Sequence, residues 1–208
     1  MQVGKLIQKR SLITFVTLFI LVVMAGIVSA EQLVILHTND VHARLESFPA
    51  PDSDEEIGGL VRLASLVRSI REQYPGQTLL VDGGDAIHGT NIANVFGGES
   101  VVEVKNAMGY RISTVGNHEF NYGQEILKQR IADYNHPVLA SNVIDTSTYE
   151  PLGYTDVILT VDGVKVGVFG LVSPETPIVT HPKNVQGLKF LDPFEQAEKI
   201  VAHLRDRV

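Results

Sequence analysis

A short apolar run that ends near glycine and then presents metal-type side chains occurs twice between Thr78 and Gly123. That repetition limits the folds open to this chain more than any other feature. The first copy reads Thr-Leu-Leu-Val-Asp-Gly-Gly-Asp and delivers Asp85; the second reads Ile-Ser-Thr-Val-Gly-Asn-His-Glu and delivers Asn117 and His118. Glycine lets the backbone turn sharply where a strand stops, so the next polar side chain projects from the strand end. Helix-like sequence lies between the two copies. A third apolar run, Gln32 to Leu36, precedes Asp40 and His42 in the same manner.

The rest of the chain continues this alternation. Leu45 to Ile57 is rich in Pro, Asp, Glu and Ser and reads as a solvated loop, with Asp52, Asp54, Glu55 and Glu56 as surface charge. Gly58-Gly59 then opens an amphipathic helix in which Leu60, Leu63, Ala64, Val67 and Ile70 recur at helical spacing, and Pro75-Gly76 ends it. Thr78–Val81, Ile112–Val115 and Pro137–Ala140 are predicted strands, and Glu99–Met108 and the segment after Tyr122-Gly123 are predicted helices. Asp162-Gly163 between Val157–Val161 and Val164–Leu171 is a hairpin signal, and Asp192-Pro193 starts a last helix. Strands alternating with helices predict an α/β fold built on βαβ crossovers and a largely parallel sheet. In such sheets the functional crevice lies beyond the carboxyl ends of the strands, where all the polar clusters fall.

Composition sets the outer limits. Cysteine is absent, which excludes disulfides, a thiolate metal site and a cysteine nucleophile. A formal net charge of −7 argues against a nucleic-acid duplex groove, which needs a basic face, but leaves small phosphate substrates open because bound cations reverse the local sign. Lys5, Lys9 and Arg10, the apolar run Leu12–Val28, and small residues at Val28 and Ala30 make residues 1–30 a secretory signal peptide cut before Glu31. The competing reading is an uncleaved anchor, since the run approaches the length that spans a bilayer. Either way the chain is expected to be exported, periplasmic or extracellular, or held at the outer face of the cytoplasmic membrane, with membrane contact only through this leader. Residues 31–208 remain as one domain's worth of chain. Nothing in the sequence specifies an oligomeric state.

The donor types indicate the chemistry. Asp40 and His42 are separated by one residue and share a face if the segment is extended, so both reach one ion. Asp85 carries two oxygens and can bridge two ions, and Asn117 offers a neutral carbonyl oxygen. Oxygen and nitrogen donors without sulfur suit Zn, Mn, Co, Fe(II) or Mg. Two such ions about 3.5 to 4 Å apart clamp an in-line phosphoryl displacement. His118 is then placed to donate to the leaving oxygen.

Asp40-Val-His42, Gly84-Asp85 and Gly116-Asn117-His118-Glu119, in that order, resemble the first blocks of the calcineurin-like metallophosphoesterases. Gly58-Gly59, Gly89-Thr90 and Phe120-Asn-Tyr-Gly123 narrow the resemblance to the secreted 5′-nucleotidase, UDP-sugar hydrolase and 2′,3′-cyclic-nucleotide phosphodiesterase branch. The resemblance implies a four-layer α/β/β/α sandwich and hydrolysis of nucleotides or other small phosphoesters at two divalent cations. By the same resemblance Asp40 and His42 bind the first metal, Asp85 bridges, Asn117 binds the second, and His118 stabilises the transition state.

Two departures from that pattern matter. The nucleotidases place Asp three residues after the catalytic His, where this chain has Asn121. Asn orients an imidazole but adds no charge, and the Asn form is more similar to the cyclic-phosphodiesterase side of the family. The family also completes its site with a later His and a Gly-His-x-His block, neither of which is present. His37, His88, His136, His181 and His203 lack that spacing and are expected to be structural or superficial. Residues 31–208 are therefore expected to form the N-terminal part of a catalytic domain, truncated before the last ligand blocks. A non-enzymatic outcome, an inactive fragment or a metal-binding remnant, stays open at this point.

Overall fold

The first ladder pairs Val34–Thr38 in parallel with Thr78–Asp82, the strand that leads into Asp85, as the glycine-ended runs predict. The computed structural model of the chain describes residues 32–208; the leader expected at residues 1–30 lies outside them. Strands β1 (Val34–Thr38), β4 (Thr78–Asp82), β5 (Ile112–Thr114) and β6 (Val138–Leu139) form a four-stranded parallel sheet in that order. Between β1 and β4 the chain adds a small hairpin, β2 (Phe48–Pro49) with β3 (Glu56–Ile57), and helix α1 (Leu60–Gln73). Helices α2 (Asn91–Val95) and α3 (Glu99–Met108) link β4 to β5, and α4 (Gln124–Asp133) links β5 to β6. Beyond the sheet, β7 (Val143–Asp145) pairs antiparallel with β10 (Leu188–Phe190), and β8 (Val157–Val161) with β9 (Val164–Val168). A short helix α5 (Thr176–Val179), the final helix α6 (Pro193–Arg205) and 3₁₀ turns at His118–Tyr122 and Pro182–Asn184 complete the described elements. Among the described residues no helix is long and apolar enough to cross a membrane.

Local chemistry explains most of these boundaries. In α1, Leu60 and Val67 of the predicted stripe are buried, and Leu63 and Ala64 pack against the same core. Gly109 ends α3 in the left-handed conformation, φ 72°, where its N–H reaches Asn106 O. Asp162 and Gly163 both take positive φ, 48° and 83°, as a two-residue type I′ hairpin requires. Asp192 caps α6 by accepting from the N–H groups of Phe194 and Glu195. The first strand runs two residues later than the apolar pattern suggests, because parallel pairing with β4 carries it through His37 and Thr38. Leu45 to Ile57 is not wholly loop, since β2 and β3 pair there and Arg44 lies over the Phe48 ring.

Among the described residues two hydrophobic clusters hold the fold. One joins Leu60 and Val67 of α1, Leu80 of β4, and Val101, Val102 and Met108 of α3. The other joins Phe120, Leu127 of α4, Val138, Val143, Val172 and Val185. β4, β5 and β6 are buried along nearly their whole length, whereas edge strand β1 exposes Ile35. β6 is also at an edge of the ladder, but Tyr154 bridges to Leu139 on its outer side and keeps it covered.

Candidate metal centre

The loops leaving β1, β4 and β5 meet at the carboxyl end of the sheet. The N–H groups of Asp40, His42 and Ala43 donate to the carbonyls of Gly84, Asp85 and Ala86, at 3.1, 3.0 and 2.8 Å. This zipper coils the first loop, and Asp40, His42, Ala43 and Asp85 all adopt positive φ, between 45° and 57°. Non-glycine residues in that region cost about 1 to 3 kcal/mol each and concentrate at functional sites. The extended geometry expected for Asp40-Val-His42 is therefore replaced by a left-handed one. The two side chains nevertheless meet, with His42 Nε2 3.5 Å from Asp40 Oδ1. Gly84 and Gly116 allow the next two loops to touch. A Cβ on Gly84 would lie 2.7 Å from Gly116 N, and one on Gly116 would lie 2.6 Å from Asp85 N.

Glu119, named in the motif but given no role there, locks these loops together. Its buried carboxylate accepts from the N–H groups of Asp85 (2.8 Å), Ala86 (2.6 Å), Ile87 (3.2 Å) and Gly116 (2.7 Å). Burial pushes this carboxyl up from the ordinary carboxylate range, and the backbone donors pull against it. Beneath lies a second charged layer. Lys105, fully buried on α3, sits 2.8 Å from Asp82 Oδ2 at the end of β4. Asp82 also accepts from Thr38 Oγ1 (2.5 Å) and Gly84 N (3.1 Å). With the Thr38 proton committed to Asp82, Tyr110 OH donates to Thr38 Oγ1 at 3.0 Å. Burial lowers Lys105 below the usual lysine value and pushes Tyr110 up to about 12.

Above this frame, His42, Asp85 and His118 each offer one ligand-type atom, and those atoms all lie within 4.8 Å of one another. The His42 and His118 rings meet edge to face at 4.8 Å, and His118 N–H donates to Asp85 Oδ1 at 2.8 Å. Asp40 joins through His42, and its carboxylate also takes the side-chain amide of Asn39. Asn117 immediately precedes the 3₁₀ turn His118–Tyr122, and its carbonyl accepts from Phe120 N–H and Thr180 Oγ1. Asn121 Nδ2 lies 2.8 Å from His118 Nδ1 and 3.0 Å from His88 Nδ1. His88, expected to be structural or superficial, is thus part of the cluster. Burial first, then the neighbouring His118 and His42, hold it below the ordinary histidine value. His136 and His203 match the expectation: one bonds Ser113 inside the fold and the other meets Arg207 at the surface.

A donor set of imidazole and carboxylate, without sulfur and partly open to solvent, fits a divalent cation of the zinc, manganese, cobalt, iron or magnesium group. The family model for calcineurin-like phosphoesterases matches residues 33–205. This chain belongs to that family. It is 38% identical to 5′-nucleotidase from Bos taurus over 165 residues, covering 73% of this chain and 28% of the relative. It is 32% identical to 5′-nucleotidase from Vibrio cholerae over 178 residues, covering 85% and 32%. The structure of Haemophilus influenzae NAD nucleotidase superposes with a TM-score of 0.72 at 30% identity, covering 84% of this chain and 32% of that one. The chain spans about a third of the length of these relatives. Calcineurin-like phosphoesterases use divalent metals, in keeping with the candidate site of His42, Asp85 and His118. The mixed α/β fold with its parallel sheet is the one expected for this family.

Proposed function

We propose that this chain carries the first metal ligands and the phosphoryl-binding histidine of a nucleotide-directed phosphoester hydrolase, 5′-nucleotidase-like in substrate class. The observation that supports it is the convergence of His42, Asp85 and His118 within 4.8 Å at the carboxyl ends of parallel strands. Asp40, His42, Asp85 and Asn117 are the residues that would hold the divalent cations. When bound, such cations lower the pKa of a water and neutralise charge on the phosphoryl oxygens. The chain's own work is positional. Glu119 clamps the loops that carry Asp85 and His118, and Asn121 fixes the His118 ring through Nδ1. That leaves His118 Nε2 to donate a hydrogen bond toward the leaving oxygen.

Asn121 favours a second reading within the same chemistry, hydrolysis of 2′,3′-cyclic nucleotides. An amide at this position adds no charge to the imidazole, unlike the carboxylate of the nucleotidases. The leader at residues 1–30 supports export to the periplasm or the exterior. Calorimetric titration of the chain with Mn²⁺ or Co²⁺, paired with hydrolysis of a chromogenic phosphate ester and a chelator control, tests the proposal. Metal binding that Asp85→Asn abolishes is the expected result. A chain that binds neither cation overturns it.

A further inference from the structure

The 3₁₀ turn that carries His118 and Asn121 is held from two sides. On the inner side Glu119 and Phe120 are buried and fasten its middle. On the outer side two side chains reach back to it, each from 63 residues further along the chain. Thr180, itself buried, donates through Oγ1 to the Asn117 carbonyl at 3.4 Å, and Asn184 Nδ2 donates to the Asn121 carbonyl at 3.2 Å. A carbonyl only accepts, so the atom of Asn184 that meets it is the amide nitrogen. Just past the turn, Gln124 Nε2 donates in the other direction, to Gln186 O at 2.8 Å. Val185 is buried in the cluster that also holds Phe120. Pro182 opens the turn Pro182–Asn184 and fixes φ there, so Asn184 projects from stiff backbone.

We propose that Thr180 and Asn184 are positioning residues of this centre, Thr180 acting through Asn117 on cation binding and Asn184 acting through Asn121 on the aim of His118. The inference rests on the phosphoester reading and adds the two outer contacts that set its geometry. A 3₁₀ run of five residues is long for its type and has poor intrinsic hydrogen-bond geometry. Its last carbonyls also have no partner within the turn, and Asn184 supplies one. With anchors only at the buried middle, either end is free to fray. The two ends are not equivalent. Thr180 holds the end with Asn117, and Asn184 holds the end whose side chain meets His118 Nδ1 at 2.8 Å. Both bonds stop on backbone carbonyls, so each acts only through the turn. A misplacement of about 1 Å caused far from the chemistry costs about 10²-fold.

Calorimetric titration of the full chain with Mn²⁺, and of its Mn²⁺-loaded form with inorganic phosphate, separates the two roles. Thr180→Val keeps the shape and removes the hydroxyl; it is expected to weaken Mn²⁺ about tenfold, the low end for a partner of a metal ligand. Thr180→Ser keeps the donor and is expected to bind Mn²⁺ as wild type does. Asn184→Ala is expected to weaken phosphate about fivefold, the worth of one neutral hydrogen bond, with Mn²⁺ affinity unchanged. A brace that is only structural would lower the thermal midpoint and weaken both ligands together in either variant, and that result overturns the inference. Wild-type Mn²⁺ affinity in Thr180→Val, or wild-type phosphate affinity in Asn184→Ala, overturns it too and leaves the phosphoester reading standing. An unaltered chain that fails to bind Mn²⁺, or binds it but not phosphate, overturns both.

Discussion

Asp85 and Glu119 are carboxylates supported by the same loops, yet the structure uses them in opposite ways. Glu119 faces inward and spends both oxygens on four backbone N–H groups. Asp85 faces the rim, accepts one backbone N–H from His118, and sits within reach of two imidazoles. The same division runs through the site as a whole. The rim holds Asp40, His42, Asp85, His88 and His118, half-buried or exposed. The layer below holds Asp82, Lys105, Tyr110 and Glu119, each buried. A carboxylate whose lone pairs are committed to the backbone is scaffold, and one with capacity remaining is available to a cation. Burial and bonding, not residue type, separate the two.

If this division is right, damage to the lower layer is read in stability and damage to the rim in binding. The largest effect is expected for Glu119→Ala, which strands buried N–H groups at about 1 to 3 kcal/mol each before relaxation. A loss on the order of 4 kcal/mol in urea unfolding is expected, with metal binding lost alongside. A variant within about 1 kcal/mol of wild type would break the comparison at its strongest point. Lys105→Met is next, at about 3 kcal/mol, because it leaves Asp82 buried without its cation. The double variant Lys105→Met with Asp82→Leu should recover part of that loss, and strictly additive losses would show that the pair is not coupled.

Asp85→Asn should do the reverse. Changes around metal ligands cost 10- to 100-fold in affinity even at outer positions, so a loss of about 100-fold or more in Mn²⁺ affinity is expected here. The thermal midpoint of the metal-free chain should barely move, and a large drop would place Asp85 in the scaffold instead. The smallest effect is on pH dependence. Burial, chiefly, and then Lys105 lower His136 to about 4 from its ordinary 6.5. A histidine held neutral by the fold contributes stability that is present above about pH 6.5 and lost as pH falls toward 4, because the unfolded chain binds the extra proton. Urea midpoints between pH 7 and pH 4.5 should therefore fall less steeply in His136→Gln than in wild type. Identical slopes would remove His136 from the acid response.

Much of the fold was legible residue by residue. The Leu60–Val67 stripe, the Gly109 stop, the Asp162-Gly163 turn and the parallel order of glycine-ended strands all follow from local conformational preference and periodicity. The β7–β10 ladder was not, because Val143–Asp145 and Leu188–Phe190 are short and acquire strand geometry only from each other. The site divides similarly. Asp40, His42, Asp85, Asn117, His118 and Asn121 were marked by their places after apolar runs and by resemblance. His88 was passed over because a lone histidine in a glycine-rich loop has no spacing signal. Only the approach of β5's loop, through Asn121, gives it a partner.

Chain order alone determined that oxygen and nitrogen donors would stand at successive strand ends, since glycine placement and the βα alternation are properties of neighbours in sequence. The tertiary structure decided which of those donors stay open to a cation. That choice depends on where four N–H groups from two loops converge, and on which carboxylate the fold removes from water. Hydrogen-bond saturation is set by groups far apart along the backbone, so no local pattern encodes it.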